Sequence, residues 1–246
     1  MSPDPRALAG LARSLVIYRA RPWRAAALAR FYRGLVGPGD LAFDIGAHVG
    51  NRSRALVAAG ARVVALEPQA LFHRFLARDL PPGVTLLRAA AGRAEGEARL
   101  AVSRLHPTVS SLAEGFADRM AGVPGFGRVR WDGAETVPVT TLDALIAAHG
   151  RPRFVKIDVE GHEAEVLAGL SVPLPWIAFE ALPATRDTTH TALDRLEGLG
   201  RYRFSAVAGE ATRFALPFDP GADLLPGLAT LGDRPVDVYA RLDPAA

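Results

Sequence analysis

The chain has 246 residues, 49% of them hydrophobic and 22% charged, a balance that suits one substantial globular core and excludes disorder. The formal net charge is only +3, so the sequence pI near 9.8 comes from a small basic surplus with no cysteine to titrate, and no nucleic-acid partner is expected. Zero cysteines exclude disulfides and thiolate chemistry, and no segment approaches the roughly 18 uncharged apolar residues of a membrane span, so a cytoplasmic location is expected.

Residues 5–35 carry apolar residues at helical spacing with seven arginines, which predicts one or two amphipathic helices broken near Pro22. This basic extension over 1–36 precedes one α/β domain over 37–246. It can cover a neighbouring cleft or lie on an anionic membrane, and both readings stay open.

From Leu41 onward short apolar runs alternate with helical patterns. LAFDIG, RVVALEP and VTLLRAAAG read as strands, separated by the helices NRSRALVAAG and ALFHRFLARDL, the second stopped by Pro81 and Pro82. Residues 95–141 are less regular: a strand-like EARLAVS, a polar HPTVSS turn, a short helical piece and a Gly/Pro-rich loop. The rhythm resumes with TLDALIAAHG as a helix, FVKIDVEG as a strand, HEAEVLAGL as a helix and PWIAFEA as a strand. A helix over 189–198 and the strands YRFSAVA and DVYARL follow. About seven core strands with crossover helices make a Rossmann-like α/β sheet, mostly parallel.

The stretch DIGAHVG, residues 44–50, ends the first strand. A dinucleotide fingerprint would place a glycine where Asp44 stands, and a carboxylate repels a diphosphate. S-adenosylmethionine, with its ammonium and sulfonium, welcomes that acid. Glu67 ends the next strand, where a carboxylate meets ribose hydroxyls in nucleotide-binding α/β folds.

FDIGAHVGNRS (43–53), VVALEP (63–68), LLRAAAGRAEGEARL (86–100), TVSSL (108–112), VPVTTLDAL (137–145), FVKIDVEGHEAEVLAGL (154–170) and IAFEA (177–181) follow one another in an order that resembles the FkbM-type methyltransferases. That family is a branch of the class I S-adenosylmethionine-dependent enzymes. The resemblance implies a seven-stranded sheet with an antiparallel last strand, and O-methyl transfer to a hydroxyl of a carbohydrate or small natural product. It carries Asp44, Gly46, His48, Gly50, Asn51, Glu67 and Ser111 onto the cofactor site. The family commonly has asparagine where this chain has His48.

In VKIDVEG, strand alternation groups Lys156, Asp158 and Glu160 on one face at the strand's C-terminal end. Asp158 is the expected base or hydroxyl-orienting group, with Glu160 as a further acid. Lys156, the only lysine among 29 basic residues, either lowers the acceptor's pKa or pairs with Asp158. Glu180, on the neighbouring strand, opens a second mechanism in which two carboxylates hold a divalent cation; the metal-free base is the expectation. His162 is expected to face solvent, and His73, His106, His149 and His190 to be surface or packing residues. A non-catalytic adenosyl-binding scaffold is the rival to an enzyme.

Overall fold

The computed structural model describes residues 4–106, 110–113, 115, 129–232 and 234–243. Most of the Gly/Pro-rich segment, the short helical piece before it and part of the HPTVSS turn lie outside these residues.

Two helices open the chain, α1 (Pro5–Arg19) and α2 (Pro22–Tyr32), parted at Pro22 as the sequence predicts. The domain then runs β1 (Leu41–Ile45), α3 (Asn51–Ala58), β2 (Arg62–Leu66), α4 (Ala70–Asp79), β3 (Val84–Leu87), β4 (Ala90–Ala91), β5 (Gly96–Val102) and β6 (Gly133–Thr140). After these come α5 (Leu142–His149), β7 (Phe154–Ile157), α6 (Glu163–Ala168), β8 (Trp176–Ala181), α7 (Arg186–Leu199), β9 (Tyr202–Ala208), α8 (Gly221–Thr230) and β10 (Val236–Leu242).

The main sheet has the order β3-β2-β1-β7-β8-β10-β9. The first five strands are parallel; β10 runs antiparallel to both β8 and β9, between which it lies. This is the mostly parallel seven-stranded sheet with an antiparallel last strand. Alternation along the central strands feeds two cores. Phe43, Ile45, Val155, Ile157 and Phe179 pack on one face under α5, α6 and α7. Ala42, Phe154 and Ala178 pack on the other with Tyr32 of α2 and Leu56 of α3.

Three expectations need correction. VTLLRAAAG is not one strand: Val84–Leu87 completes the main sheet, while Ala90–Ala91 joins a small second sheet of order β4-β6-β5. The irregular region contains β6, hidden from the sequence by Pro138. Because β4 reaches only Val139 and Thr140, β6 has no ladder partner among the described residues on that side at Pro138, and a residue lacking an amide N–H is tolerated there. Helix α8 is likewise unannounced, since Pro226 lies inside it.

Candidate active site

A cavity opens at the C-terminal ends of β1, β2, β7 and β8, where ligands bind open α/β sheets. The turn after β1 forms its floor. Gly46 (φ +92°) and Gly50 (φ +76°) sit in left-handed conformations, and so does His48 (φ +50°). A Cβ on Gly46 would collide with the carbonyl oxygen of Asp158, so this glycine lets the tips of β1 and β7 close on each other. At Gly50 a Cβ would come within 2.8 Å of Leu80. Gly46 is therefore required by packing of the chain itself and Gly50 favoured by its left-handed backbone, whatever occupies the cavity.

Asp44 is buried at the tip of β1. Its Oδ2 accepts a 2.5 Å hydrogen bond from Ser53 Oγ, and its Oδ1 is buried with no hydrogen-bond partner among the described residues. Burial raises its pKa above the ordinary value, against the Ser53 hydroxyl and Arg52, which lower it. Glu67 at the tip of β2 accepts from the backbone N–H of His48 and of Gln69, both at 2.8 Å, and so ties the two strand tips together. Burial pushes its carboxyl up to about 8. Both acids line the cavity, as do His48 and Asn51. The His48 ring packs on Phe72 and Tyr18, and its Nε2 lies 3.1 Å from Ser14 Oγ of α1. Ser111 is differently employed: its hydroxyl donates to the Glu160 carbonyl oxygen at 2.7 Å, while its neighbours Ser110 and Leu112 face the cavity.

Strand β7 ends at Ile157, so alternation does not extend to Glu160. A loop does the work. Glu163 Oε1 accepts from the N–H groups of Val159 and Gly161, both at 3.2 Å, and Glu160 takes a left-handed φ of +53°. The outcome is still convergence: Asp158, Glu160 and Glu180 each offer a carboxylate oxygen within 4.8 Å of the others. Burial, then repulsion from neighbouring acids, pushes Glu160 and Glu180 well above the carboxylate range.

Lys156 is fully buried. Its Nζ donates to the Ile157 carbonyl at 2.9 Å, lies 2.9 Å from Asp237 Oδ1 and stands 3.5 Å from Asp158 Oδ2. Burial opposes the ammonium, but Asp158 and Asp237 outweigh it and raise its pKa. Arg52 of α3 closes the group, 3.1 Å from Asp237 and 3.7 Å from Asp158. Neither Arg52 nor Asp237 is singled out by sequence reasoning. Arg52 sits inside FDIGAHVGNRS, so its place beside the motif was available; Asp237 becomes visible only when β10 pairs Asp237 with Glu180.

Tyr18 of α1 and Glu210 also line the cavity, and neither was predicted. His162 is half-buried on the cavity wall, which corrects the solvent-facing expectation. His73, His106, His149 and His190 lie away from it. Six carboxyl groups, those of Asp44, Glu67, Asp158, Glu160, Glu180 and Glu210, line the cavity against Arg52, and a cationic ligand is the partner that would draw the raised ones back to their charged forms.

Comparison with known proteins agrees with this arrangement at the level of the family. Residues 44–204 match the model of the methyltransferase FkbM domain. No curated protein matches the chain. Among solved structures, an O-methyltransferase from Bacillus cereus in complex with SAH is 12% identical, with 99% of this chain and 93% of that one covered at a TM-score of 0.48. A precorrin-6Y C5,15-methyltransferase from Geobacter metallireducens is 16% identical, with 89% and 87% covered and a TM-score of 0.44. The C-terminal domain of the Rhodobacter capsulatus precorrin-6Y C5,15-methyltransferase is 18% identical, with 90% and 89% covered and a TM-score of 0.42. The family match spans well over half of the chain and includes both strand-tip acids and the KIDVEG loop, so the protein belongs to the FkbM methyltransferases, a class I family that is S-adenosylmethionine-dependent.

Proposed function

We propose that the enzyme methylates a hydroxyl of a carbohydrate or small natural product, with Asp158 orienting the hydroxyl and taking its proton. The observation that carries this reading is Asp158 itself. Its side chain is 27% exposed on the cavity wall, steadied from behind by Lys156 and Arg52, and the other two acids of the cluster are driven toward their neutral forms. A carboxylate held in that way can accept a proton as the acceptor oxygen bonds to carbon. Bound S-adenosylmethionine supplies a methyl group on a cationic sulfur that departs as a neutral thioether. Asp44, with its partnerless buried oxygen, suits the donor's ammonium, and Glu67 suits its ribose hydroxyls. Gly46, His48 and Asn51 shape the floor between them, Gly50 turns the chain behind it against Leu80, and Ser111 acts through the Glu160 backbone.

A second reading keeps the acceptor and changes the catalyst. The approach of Asp158, Glu160 and Glu180 favours a divalent cation held by carboxylate oxygens, with the acceptor oxygen polarised by the metal. Glu180 Oε2, buried without a hydrogen-bond partner among the described residues, supports it.

One experiment separates them. Turnover of methyl-labelled donor is measured on a panel of sugars and hydroxylated natural products, for wild type and Asp158→Asn, with and without EDTA. The base reading expects kcat to fall about 10²- to 10⁴-fold in Asp158→Asn with donor affinity within a few-fold, and wild-type activity to survive chelation. Loss on chelation with recovery on magnesium or manganese transfers the role to the cation. Methyl transfer only to nitrogen or carbon acceptors would sink the hydroxyl reading.

A further inference from the structure

Helix α1 wears its polarity inside out. Its inward face carries Gly10, Ser14 and Tyr18, with Ser14 against His48 and Tyr18 on the cavity wall. Its outward face carries Leu8, Ala12 and Val16 at four-residue spacing with Ile17 beside Val16, all exposed, Val16 to 67%. Trp23, in the first turn of α2, is 68% exposed. Scattered exposed apolar residues are ordinary, but a helix that leaves Leu8, Val16 and Ile17 outward and Leu11 and Leu15 only half-buried, while burying a glycine and a serine, is not. Nor is α1 loosely attached. Arg19 pairs with Asp79 at 2.7 Å, and Asp4 with Arg104 at 3.3 Å.

Charge says what the outward face is for. Residues 5–39 hold seven arginines and no acid. That surplus exceeds the whole chain's formal net charge of +3, so the rest of the molecule is net acidic and the positive end is this one. Arg13, Arg21, Arg24 and Arg30 have no acidic partner among the described residues. Apolar side chains interleaved with unpaired arginines, and a tryptophan at the helix junction, are what a helix lying in the plane of a bilayer presents. The helix does not span: among the described residues none is long and apolar enough to cross a membrane. At 15 residues α1 is about 22 Å long, enough to lie along the headgroup layer.

We propose that the outward face of α1 and the first turn of α2 seat the enzyme on an anionic phospholipid surface. The cleft side of α1 then continues to wall the cavity while its other side is in the bilayer interface.

The test is co-sedimentation of the full chain with vesicles of phosphatidylcholine alone and of phosphatidylcholine mixed with phosphatidylglycerol. Binding to the mixed vesicles is expected, weakening as salt is raised, with little binding to the neutral ones. A Val16→Glu, Trp23→Ser double variant, altered only at exposed positions, should bind the mixed vesicles about tenfold or more weakly, with its circular dichroism and S-adenosylhomocysteine affinity unchanged. Absence of binding to anionic vesicles, or binding that ignores salt, overturns the proposal whatever the variant does. So does wild-type-like binding by a folded variant. Light scattering that finds a dimer in the wild type and a monomer in the variant would assign the face to a second copy of the chain instead.

Discussion

At the residue scale, the lone lysine has a geometric explanation. Three acceptors, the Ile157 carbonyl, Asp237 and Asp158, surround one fully buried nitrogen. An ammonium directs three donors from a point, whereas a planar guanidinium needs more room and a different set of partners. Arg52 reaches the same two aspartates from the helix side, where space for the fork exists. His48 permits a pH prediction. Burial lowers its ring to about 4 from an ordinary 6.5, against the opposing pull of Asp158. In the ligand-free protein the stability tied to the neutral ring is present above 6.5 and is lost as pH falls toward 4, because only the unfolded chain takes up the proton in that window. His48→Asn should therefore show a shallower loss of melting temperature than wild type over the same acid range. Parallel curves for the two proteins would remove His48 from the acid limb.

At the scale of elements, the β1–α3 turn and the β7–α6 loop depend on each other. Gly46 makes room for the Asp158 carbonyl, Glu67 holds the His48 N–H, and Glu163 holds the Val159 and Gly161 N–H groups. A methyl group on Gly46 must push the two tips apart from a φ of +92° that side chains resist. Gly46→Ala is expected to cost about 1–3 kcal/mol of stability in urea unfolding, and to lower methyl transfer beyond that loss by moving Asp158. A variant with wild-type stability and turnover would show that the two loops are not coupled through this contact.

At the scale of the whole molecule, the cavity draws its walls from β1, β2, β7 and β8 and from α1, so a ligand there bridges segments from Tyr18 to Glu210. Binding only the folded state, S-adenosylhomocysteine at about a hundred times its Kd should add about 2.7 kcal/mol. For a chain of this size that is a rise of about 5–10 °C in melting temperature. NAD should give none, and Asp44→Ala should reduce the rise by weakening the ligand. An equal shift with NAD would contradict the reading of Asp44 as a partner for a cation.

The sequence by itself determined the α/β rhythm, the two acids at the first strand tips and the acid of KIDVEG, because hydrophobic period and glycine spacing are local properties of the chain. It also determined that α1 and α2 are helices parted at Pro22. Tertiary structure alone decided which strands are neighbours. Inserting β10 between β8 and β9 brings Asp237 to Lys156 and Arg52, partners that no local pattern links. A left-handed residue, Glu160, rather than strand alternation, turned the third acid into the cluster. Pro138 and Pro226 concealed β6 and α8, since the chain's punctuation does not reveal where a missing amide N–H will go unneeded. And periodicity showed that α1 has two faces without showing which is covered: that depends on the body it meets, which here took the serine and tyrosine side and left Leu8, Val16 and Ile17 outward.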